Sequence, residues 1–139
     1  MEIIANALQT VTANQNVFFT DTITCGNCAI IHREGSGLVT LKGITNQCRA
    51  RFKVSFGGNI AVPADGTPGA ISLAIALNGE TLPGTTMTVT PVAAEQFFNV
   101  FTSTFIDVPV NCCVTISVTN ITATSVDVQN ANLIITRVA

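Results

Sequence analysis

The sequence predicts an all-β protein, an antiparallel sandwich built from many short strands around one core. Three observations predict this class: apolar and polar residues alternate, turn signals recur at short intervals, and no long helical segment is present. The alternation is clearest in CRARFKVSF, from Cys48 to Phe56, where apolar side chains occupy the even positions and polar or charged ones the odd positions. A period of two is typical of a strand with one buried face.

Turn residues divide the chain into the predicted strands. Asn78-Gly79 lies between ISLAIAL and ETLPGTTMTV, and this dipeptide predicts a hairpin with a type I′ turn, because both residues tolerate positive φ angles. The only helical candidate is PVAAEQFF, residues 91–98, which could form one turn at most. We therefore predict roughly ten strands in an antiparallel jelly-roll sandwich. They comprise residues 8–13, 15–24, 28–33, 37–42, 48–62, 70–77, 85–90, 96–108, 112–119 and 125–137.

Length and composition indicate one domain that is part of a larger assembly. A chain of 139 residues suits a single domain, residues 1–139, with one core. Apolar residues make up 47% of the chain and charged residues only 10%, whereas ~25% charged residues are usual. So few charges would leave the surface of a monomer poorly covered. We therefore expect part of it to be buried against other subunits.

Composition and motifs also argue against several classes of function. The net charge of −2 argues against a nucleic-acid partner, and no apolar run reaches the ~18 residues that indicate a membrane span. The N-terminal MEIIANALQTVTANQ has neither the basic start nor the apolar run of a signal peptide, so we expect synthesis in the cytoplasm. With a single histidine, no nucleophile elbow and no phosphate loop, the sequence predicts a protein that is not an enzyme and binds no cofactor.

Three stretches of the chain resemble a known family. They are LQTVTANQNVFF near the start, GAISLAIALNGETLPGTTM in the middle and NANLIITRVA at the end. They look like the compact ten-strand jelly roll of the tumour-necrosis-factor and complement-C1q superfamily. The resemblance implies a homotrimer, since that superfamily usually packs three jelly rolls around an axis. The segments GNIAVP, ISLAIALNGE and VQNANLIITRVA also resemble small clostridial and prophage proteins of unknown role.

Together these features predict a structural virion protein made in the host cytoplasm. The resemblance to prophage proteins favours a trimeric decoration or cement protein on a bacteriophage capsid, with the major capsid protein or another virion protein as its partner. The alternative is a receptor- or glycan-binding knob on a phage fibre, or on a spore or cell surface. A knob usually needs a stalk, and no collagen-like stalk is present in this sequence.

The stretch CGNCAIIH, residues 25–32, raises the question of a metal site. Cys25, Cys28, His32 and Cys48 have the ligand chemistry of structural zinc. However, a regular strand would place His32 ~13 Å along the chain direction from Cys28, so the sequence favours no metal. We predict instead a hairpin tip, with Gly26-Asn27 as a two-residue loop and the two thiols facing each other. A redox pair is the third alternative, although the strand-then-helix context of such pairs is missing.

Charged and aromatic residues supply the interface candidates. Arg49, Arg51 and Lys53 alternate with core positions, so they form either a basic face that docks on an acidic partner or a solvated face that keeps the sheet soluble. In EQFFNVFTSTF, parity predicts that Phe97, Phe101 and Phe105 fill the core and that Phe98 points towards a neighbouring subunit, unless a bulge places all four in the core.

The remaining cysteines leave the disulfide state open. The chain contains five cysteines, an odd number that excludes complete pairing within one chain. Cys112 and Cys113 are adjacent, and in a strand one of them would face the core as a small apolar residue while the other faces outward.

Overall fold

The computed structural model describes all 139 residues and contains twelve β-strands with one short 3-10 turn, at Pro83–Thr85. No helix in it has the length and apolar character that crossing a bilayer would require. The strands are β1 (Glu2–Ala5), β2 (Gln9–Val11), β3 (Asp21–Thr24), β4 (Ile30–His32), β5 (Val39–Lys42), β6 (Arg49–Ala61), β7 (Ile71–Leu77), β8 (Glu80–Thr81), β9 (Met87–Val89), β10 (Phe98–Pro109), β11 (Cys113–Asn120) and β12 (Val126–Arg137).

The strands form two antiparallel sheets of six strands each. In the first sheet the order is β10-β6-β12-β1-β3, and β2 pairs with β12. In the second sheet the order is β4-β5-β11-β7-β8, and β9 pairs with β7. The two sheets enclose one core cluster of 29 buried apolar residues, so the all-β jelly-roll class that the sequence predicts is confirmed.

The long central strand β6 shows how the sequence builds this core. Ala50, Phe52, Val54 and Phe56 are completely buried, whereas the residues between them are exposed or half-buried. The ring of Phe56 packs edge-on against that of Phe19, with 6.3 Å between the centroids. Burying a phenylalanine side chain stabilises a fold by roughly 1.5–3 kcal/mol, so these rings supply a large share of the apolar contact.

The predicted hairpin at Asn78-Gly79 is confirmed. Both residues have positive φ angles, 51° and 85°, and Leu77 pairs directly with Glu80 across the two-residue loop. Asparagine and glycine tolerate this region of φ because a short polar side chain, or none, avoids the clash that other residues meet.

Other element predictions differ from the structure. Strand β1 was not predicted, because the alternation in four residues is too short to detect and its pairing with β3 and β12 comes from distant parts of the chain. Of the predicted strand 15–24 only Asp21–Thr24 forms one. Residues 12–20 instead cross between the sheets, with the amide of Val17 donating to Val118 and that of Thr20 to Ile4. Residues 91–98 contain no helical turn.

The predicted hairpin at Cys25–Cys28 is wrong. Strand β3 pairs with β1 in the first sheet, and β4 pairs with β5 in the second, so residues 25–29 connect the two sheets. Asn27 shapes this connection: its side-chain oxygen accepts a hydrogen bond from the amide of Ala29 (2.9 Å), and its backbone oxygen accepts one from Ile30 (3.1 Å). The Gly-Asn pair is therefore part of a turn between sheets, because tertiary pairing partners decide which strands become neighbours.

Candidate functional site

Strand β10 lies at the edge of the first sheet, and its register against β6 determines which of its residues face outward. The two strands pair continuously from Phe98 opposite Ile60 to Pro109 opposite Arg49. Directly opposed residues share a face, so the even-numbered residues of β10 face the core with Phe52 and Phe56. Accordingly, the buried residues of β10 are Val100, Ile106 and Val108.

The predicted parity of the phenylalanines is therefore wrong. Phe101 and Phe105 point out of the sandwich and are 66% and 61% exposed. Phe98 has the inward parity but sits at the end of the strand, where it is 38% exposed, and Phe97 precedes the strand and is 39% exposed. The prediction assumed that the larger aromatic set must fill the core, whereas smaller aliphatic residues fill it beside the rings of β6.

Phe101 and Phe105 are exposed apolar residues on the outer face of the first sheet, separated along β10 by Ser103, whose hydroxyl lies 3.0 Å from that of Ser55. Ile134 of β12, 41% exposed, pairs with Ser55 on the same face. A Cβ built at Gly57 would lie 3.7 Å from Cδ2 of Phe101, an ordinary contact distance, so the Phe101 ring lies beside the backbone of β6 at this position. We call Phe101, Phe105 and Ile134 the aromatic face. Solvated faces of antiparallel sheets usually carry polar residues, so large apolar groups at the middle of these strands indicate a covered surface.

The basic residues predicted as interface candidates lie next to the aromatic face, and two of them share one acidic neighbour. Arg51 donates two hydrogen bonds to the carboxylate of Asp107, from Nε to Oδ1 (2.7 Å) and from Nη2 to Oδ2 (3.1 Å). Arg49 lies with Nε 3.2 Å from Oδ2 of the same carboxylate. Lys53 is paired across the strands with Phe105 and forms no ion pair. The sequence did not single out Asp107, although its position opposite Arg51 depends only on the register.

The charge pair has the expected effect on ionisation. Its hydrogen bond from Arg51 holds the pKa of the Asp107 carboxyl below its ordinary value, and the same bond raises the pKa of the Arg51 guanidinium. Arg49 and Arg51 share the Asp107 carboxylate and Lys53 follows on the same face of β6, so the three cations outnumber this one carboxylate and leave the corner positive. It can therefore attract an acidic surface, with a strength that falls as salt screens the charges.

The weak zinc candidates are not brought together. Cys25, Cys28 and Cys48 are exposed free thiols, and no three histidine, cysteine or acidic side chains form a group that could hold a metal ion. His32 packs edge-on against Phe19 at 6.4 Å, and its Nε2 lies 2.9 Å from the carbonyl oxygen of Ser36. Nε2–H therefore donates to that carbonyl, while Nδ1 is buried without a partner. Purification without stoichiometric zinc stays a prediction.

The predicted burial of one of the two adjacent cysteines is wrong. Both Cys112 and Cys113 are exposed. Cys113 begins β11 opposite Lys42, whereas Cys112 belongs to the turn before the strand. Even-numbered residues of β11, such as Ile116 and Val118, face the core. Cys112 would continue this series, but it precedes the strand and lies beyond the end of the core.

An open cavity of about 670 Å³ lies beside these cysteines. Its wall comprises the loop between β5 and β6, the turn between β10 and β11, and the side chain of Arg137. Arg137 lines the cavity and is held in place by two hydrogen bonds, from Nη1 to the oxygen of Ile44 (2.5 Å) and from Nε to that of Ala139 (3.1 Å). The polar loop GITNQC was the only sequence signal for this cavity, and its pairing with VNCC depends on tertiary structure. The other polar side chains at its wall are those of Lys42, Thr45, Asn46, Gln47 and Asn111.

Comparison with known proteins shows the fold and no family. No protein-family model matches the sequence, and no curated protein matches it significantly. Among solved structures, the globular domain of a zebrafish complement C1q A protein is similar with a TM-score of 0.60 and 12% identity, covering 96% of this chain and 93% of that one. Murine APRIL is similar with a TM-score of 0.58 and 8% identity, covering 91% and 95%.

A third structure, a family 35 carbohydrate-binding module from Clostridium thermocellum, covers 95% of this chain and 90% of its own. Its TM-score of 0.35 and identity of 15% are too low to support a conclusion. The first two similarities and the order of strands define the class of fold: this chain is an all-β jelly roll whose fold is similar to those of the C1q globular domain and APRIL.

Proposed function

We propose that the protein is a non-enzymatic structural protein that assembles as a homotrimer through the aromatic face. The observation that carries the proposal is the exposure of Phe101 and Phe105 at the middle of a strand, where a solvated sheet would carry polar residues. The low share of charged residues, 10% of the chain, also supports burial of part of the surface. The number three rests on the resemblance to the C1q and tumour-necrosis-factor superfamily.

The energy available at this face is sufficient only as part of a larger contact. Covering the exposed fractions of Phe101, Phe105 and Ile134 would contribute about 4 kcal/mol per subunit. Association itself costs at least ~4 kcal/mol, so a stable trimer must bury more than these three side chains. We expect a total interface above ~1,200 Å².

Replacing both aromatic residues tests the assembly. The variant Phe101→Asn/Phe105→Asn removes the apolar groups without touching the core, so it should fold and be a monomer, while the wild type has the mass of three chains by light scattering at micromolar concentration. Phe18→Asn is the matched control, because Phe18 is 52% exposed outside the aromatic face. A wild type that is monomeric at that concentration contradicts the proposal.

At the finer level, we propose that the trimer decorates a bacteriophage capsid and that its partner is the major capsid protein or another virion protein. The resemblance to prophage proteins supports the phage assignment, and the positive corner formed by Arg49, Arg51 and Lys53 supports docking on an acidic shell surface. Mass spectrometry of purified particles should detect the chain at a fixed ratio to the shell protein. Its absence from particles contradicts this assignment while leaving the trimer untouched.

Charge replacement tests the docking. Lys53→Gln is expected to lower particle occupancy because Lys53 has no carboxylate partner of its own, and the difference from wild type should be largest at low salt, since screening weakens the attraction of the wild type as well. Lys42→Gln, on the second sheet, is the control. Equal occupancy for wild type and Lys53→Gln at every salt concentration would make these residues a solvated face.

The cavity beside Arg137 favours a second candidate, a receptor- or glycan-binding knob. Its polar wall, rich in amide side chains, can hydrogen-bond a hydroxylated ligand. Screening the purified protein on a glycan array distinguishes the two: binding that Asn111→Ala abolishes supports the knob. Particle association without glycan binding supports the decoration protein.

A further inference from the structure

The cavity between the β5–β6 loop and the β10–β11 turn has basic side chains at its wall and no acidic ones. Two of the six basic residues of the chain, Lys42 and Arg137, line it, whereas none of the eight aspartates and glutamates does. The whole chain has a net charge of −2, so the charge of this wall is opposite in sign to that of the molecule. An anion that enters the cavity therefore meets no carboxylate side chain at its wall.

Both basic side chains keep donors that the fold does not use. The two ion pairs of the structure are made by other residues, so the ammonium group of Lys42 has no carboxylate partner. Arg137 donates from Nη1 and Nε to the backbone oxygens of Ile44 and Ala139, which leaves Nη2 without an acceptor. Lys42 and Nη2 of Arg137 can therefore both donate to a bound anion, and hydrogen bonds of this charged kind are the stronger ones.

The β5–β6 loop adds further unused donors. The backbone amides of Ile44, Thr45 and Asn46 donate no hydrogen bond within the protein, whereas that of Gln47 donates to the hydroxyl of Thr45 (3.1 Å). The side chains of Asn46, Gln47 and Asn111 are exposed at the wall. Because a side-chain amide both donates and accepts, these three groups suit the hydroxyls of a ligand.

The cavity is preformed, because its two sides are bonded to each other. The amide of Gly43 donates to the oxygen of Cys112 (2.8 Å), and the amide of Asn111 donates to the oxygen of Gly43 (3.0 Å). The volume of about 670 Å³ lies within the ~300–1,000 Å³ that is usual for sites of small ligands. It leaves room for a sugar ring with its substituents.

The wall is poorly suited to a ligand that binds mainly by apolar contact. Sites of small molecules are usually lined by apolar and aromatic side chains with a few polar groups. Here Ile44, Cys112 and Cys113 are the apolar residues of the wall, and no aromatic ring lines it. Affinity must therefore come from charge and hydrogen bonds, which a neutral ligand uses less well than an anion.

We propose that this cavity binds a sugar that carries one acidic group. The inference rests on the second candidate function, the glycan-binding knob, and names the class of its ligand. The acidic group accepts hydrogen bonds from Lys42 and from Nη2 of Arg137, while the ring hydroxyls bond with the amides of the loop. Because the cavity is open to solvent, salt screens the attraction and lowers the affinity.

Two sugars that differ in one acidic group test the proposal. Galacturonate should shift the amide signals of Ile44, Thr45 and Asn46 in NMR spectra of the isotope-labelled full chain, and added salt should weaken its binding. Galactose, which has a hydroxymethyl group in place of the carboxylate, should bind much more weakly. Equal binding of the two sugars, or no shift of these amide signals, overturns the proposal.

Two further probes show which part of the ligand is recognised. Galactose 6-sulfate that binds like galacturonate supports an acidic sugar of either kind, and galactose 6-sulfate that does not bind supports a carboxylate in particular. Acetate carries the charge without the ring. If acetate binds as tightly as galacturonate, the cavity is an anion site only and the sugar ligand is overturned.

Lys42→Gln is the variant that tests the charge, and its melting curve shows whether it is folded. It should bind galacturonate roughly tenfold more weakly, as expected when one hydrogen bond to a charged group is lost. Lys53→Gln removes the same charge from the outer face of the first sheet, and this matched control should bind like the wild type. Unchanged affinity in Lys42→Gln, or an equal loss in both variants, overturns the proposal.

The outcome for this ligand class is separable from that for the knob itself. A protein that binds only neutral sugars on the glycan array, with no effect of Lys42→Gln, overturns the acidic ligand and keeps the knob. Galacturonate binding that depends on Lys42 supports both. The NMR titration uses the purified chain without particles, so its result does not depend on the capsid assignment.

Discussion

At the residue scale, single polar side chains hold positions that apolar packing leaves undefined. Asn120 is completely buried, yet all of its polar atoms are paired: Nδ2 donates to Val11 (3.0 Å) and Thr124 (2.9 Å), and Oδ1 accepts from Thr122 (2.9 Å). This one side chain therefore fixes the end of β11 against the loop that leads into β12. A buried polar group contributes stability only while its partners are present.

We predict that Asn120→Ala lowers the free energy of unfolding by about 3 kcal/mol, because backbone groups of three residues lose their partner inside the protein. Urea denaturation followed by circular dichroism measures the change. Asn46→Ala, at an exposed asparagine without a hydrogen bond, is the control and should be nearly neutral. A loss as small as that of the control would show that water replaces the amide.

The Asp107 pair makes stability depend on pH in a defined direction. Because the folded pKa of Asp107 lies below its ordinary value of 3.8, the charged form is stabilised in the fold. The contribution is present above pH 3.8 and is lost as pH falls through the lower, folded pKa.

We predict that Asp107→Asn is slightly less stable than the wild type at pH 7 and equally stable at a pH low enough to protonate Asp107 in both the folded and the unfolded wild type. Denaturation midpoints across this range, with exposed Asp65→Asn as the control, measure the difference. A difference that stays constant into strong acid would show that the loss has another cause. The effect is small because the pair is on the surface.

At the element scale, the contact between the β5–β6 loop and the β10–β11 turn depends on one glycine. Gly43 donates to Cys112 (2.8 Å) and accepts from Asn111 (3.0 Å), and a Cβ at this position would overlap the carbonyl oxygen of Pro109. The two segments can approach this closely only because glycine has no side chain.

Gly43→Ala should therefore destabilise the protein by roughly 1–3 kcal/mol, the usual cost of an added methyl group in a filled site. The control is Gly69→Ala, since a Cβ at Gly69 meets no atom within 4 Å. Thermal unfolding of the two variants beside the wild type measures the difference. Equal midpoints would mean that the loop moves aside without cost.

At the scale of the whole molecule, assembly and stability are linked. If the aromatic face is covered by other copies, the trimer is favoured by mass action and unfolds at a temperature that rises with protein concentration. We expect this rise for the wild type and its disappearance in Phe101→Asn/Phe105→Asn. A midpoint that does not depend on concentration in the wild type, over a range that includes the dissociation constant, contradicts the trimer.

Local patterns in the sequence determined the fold class, the alternation of β6 and the Asn78-Gly79 hairpin, because each depends on residues that are close in the chain. Only the tertiary structure decided which strands become neighbours. It placed residues 25–29 between two sheets, turned Phe101 and Phe105 outward through the pairing of β10 with β6, and brought Cys28, Cys48, Cys112 and Cys113, from three segments, to one end of the sandwich. Pairing between distant segments is set by the combined burial and hydrogen bonding of the whole domain, and no local window of sequence contains that information.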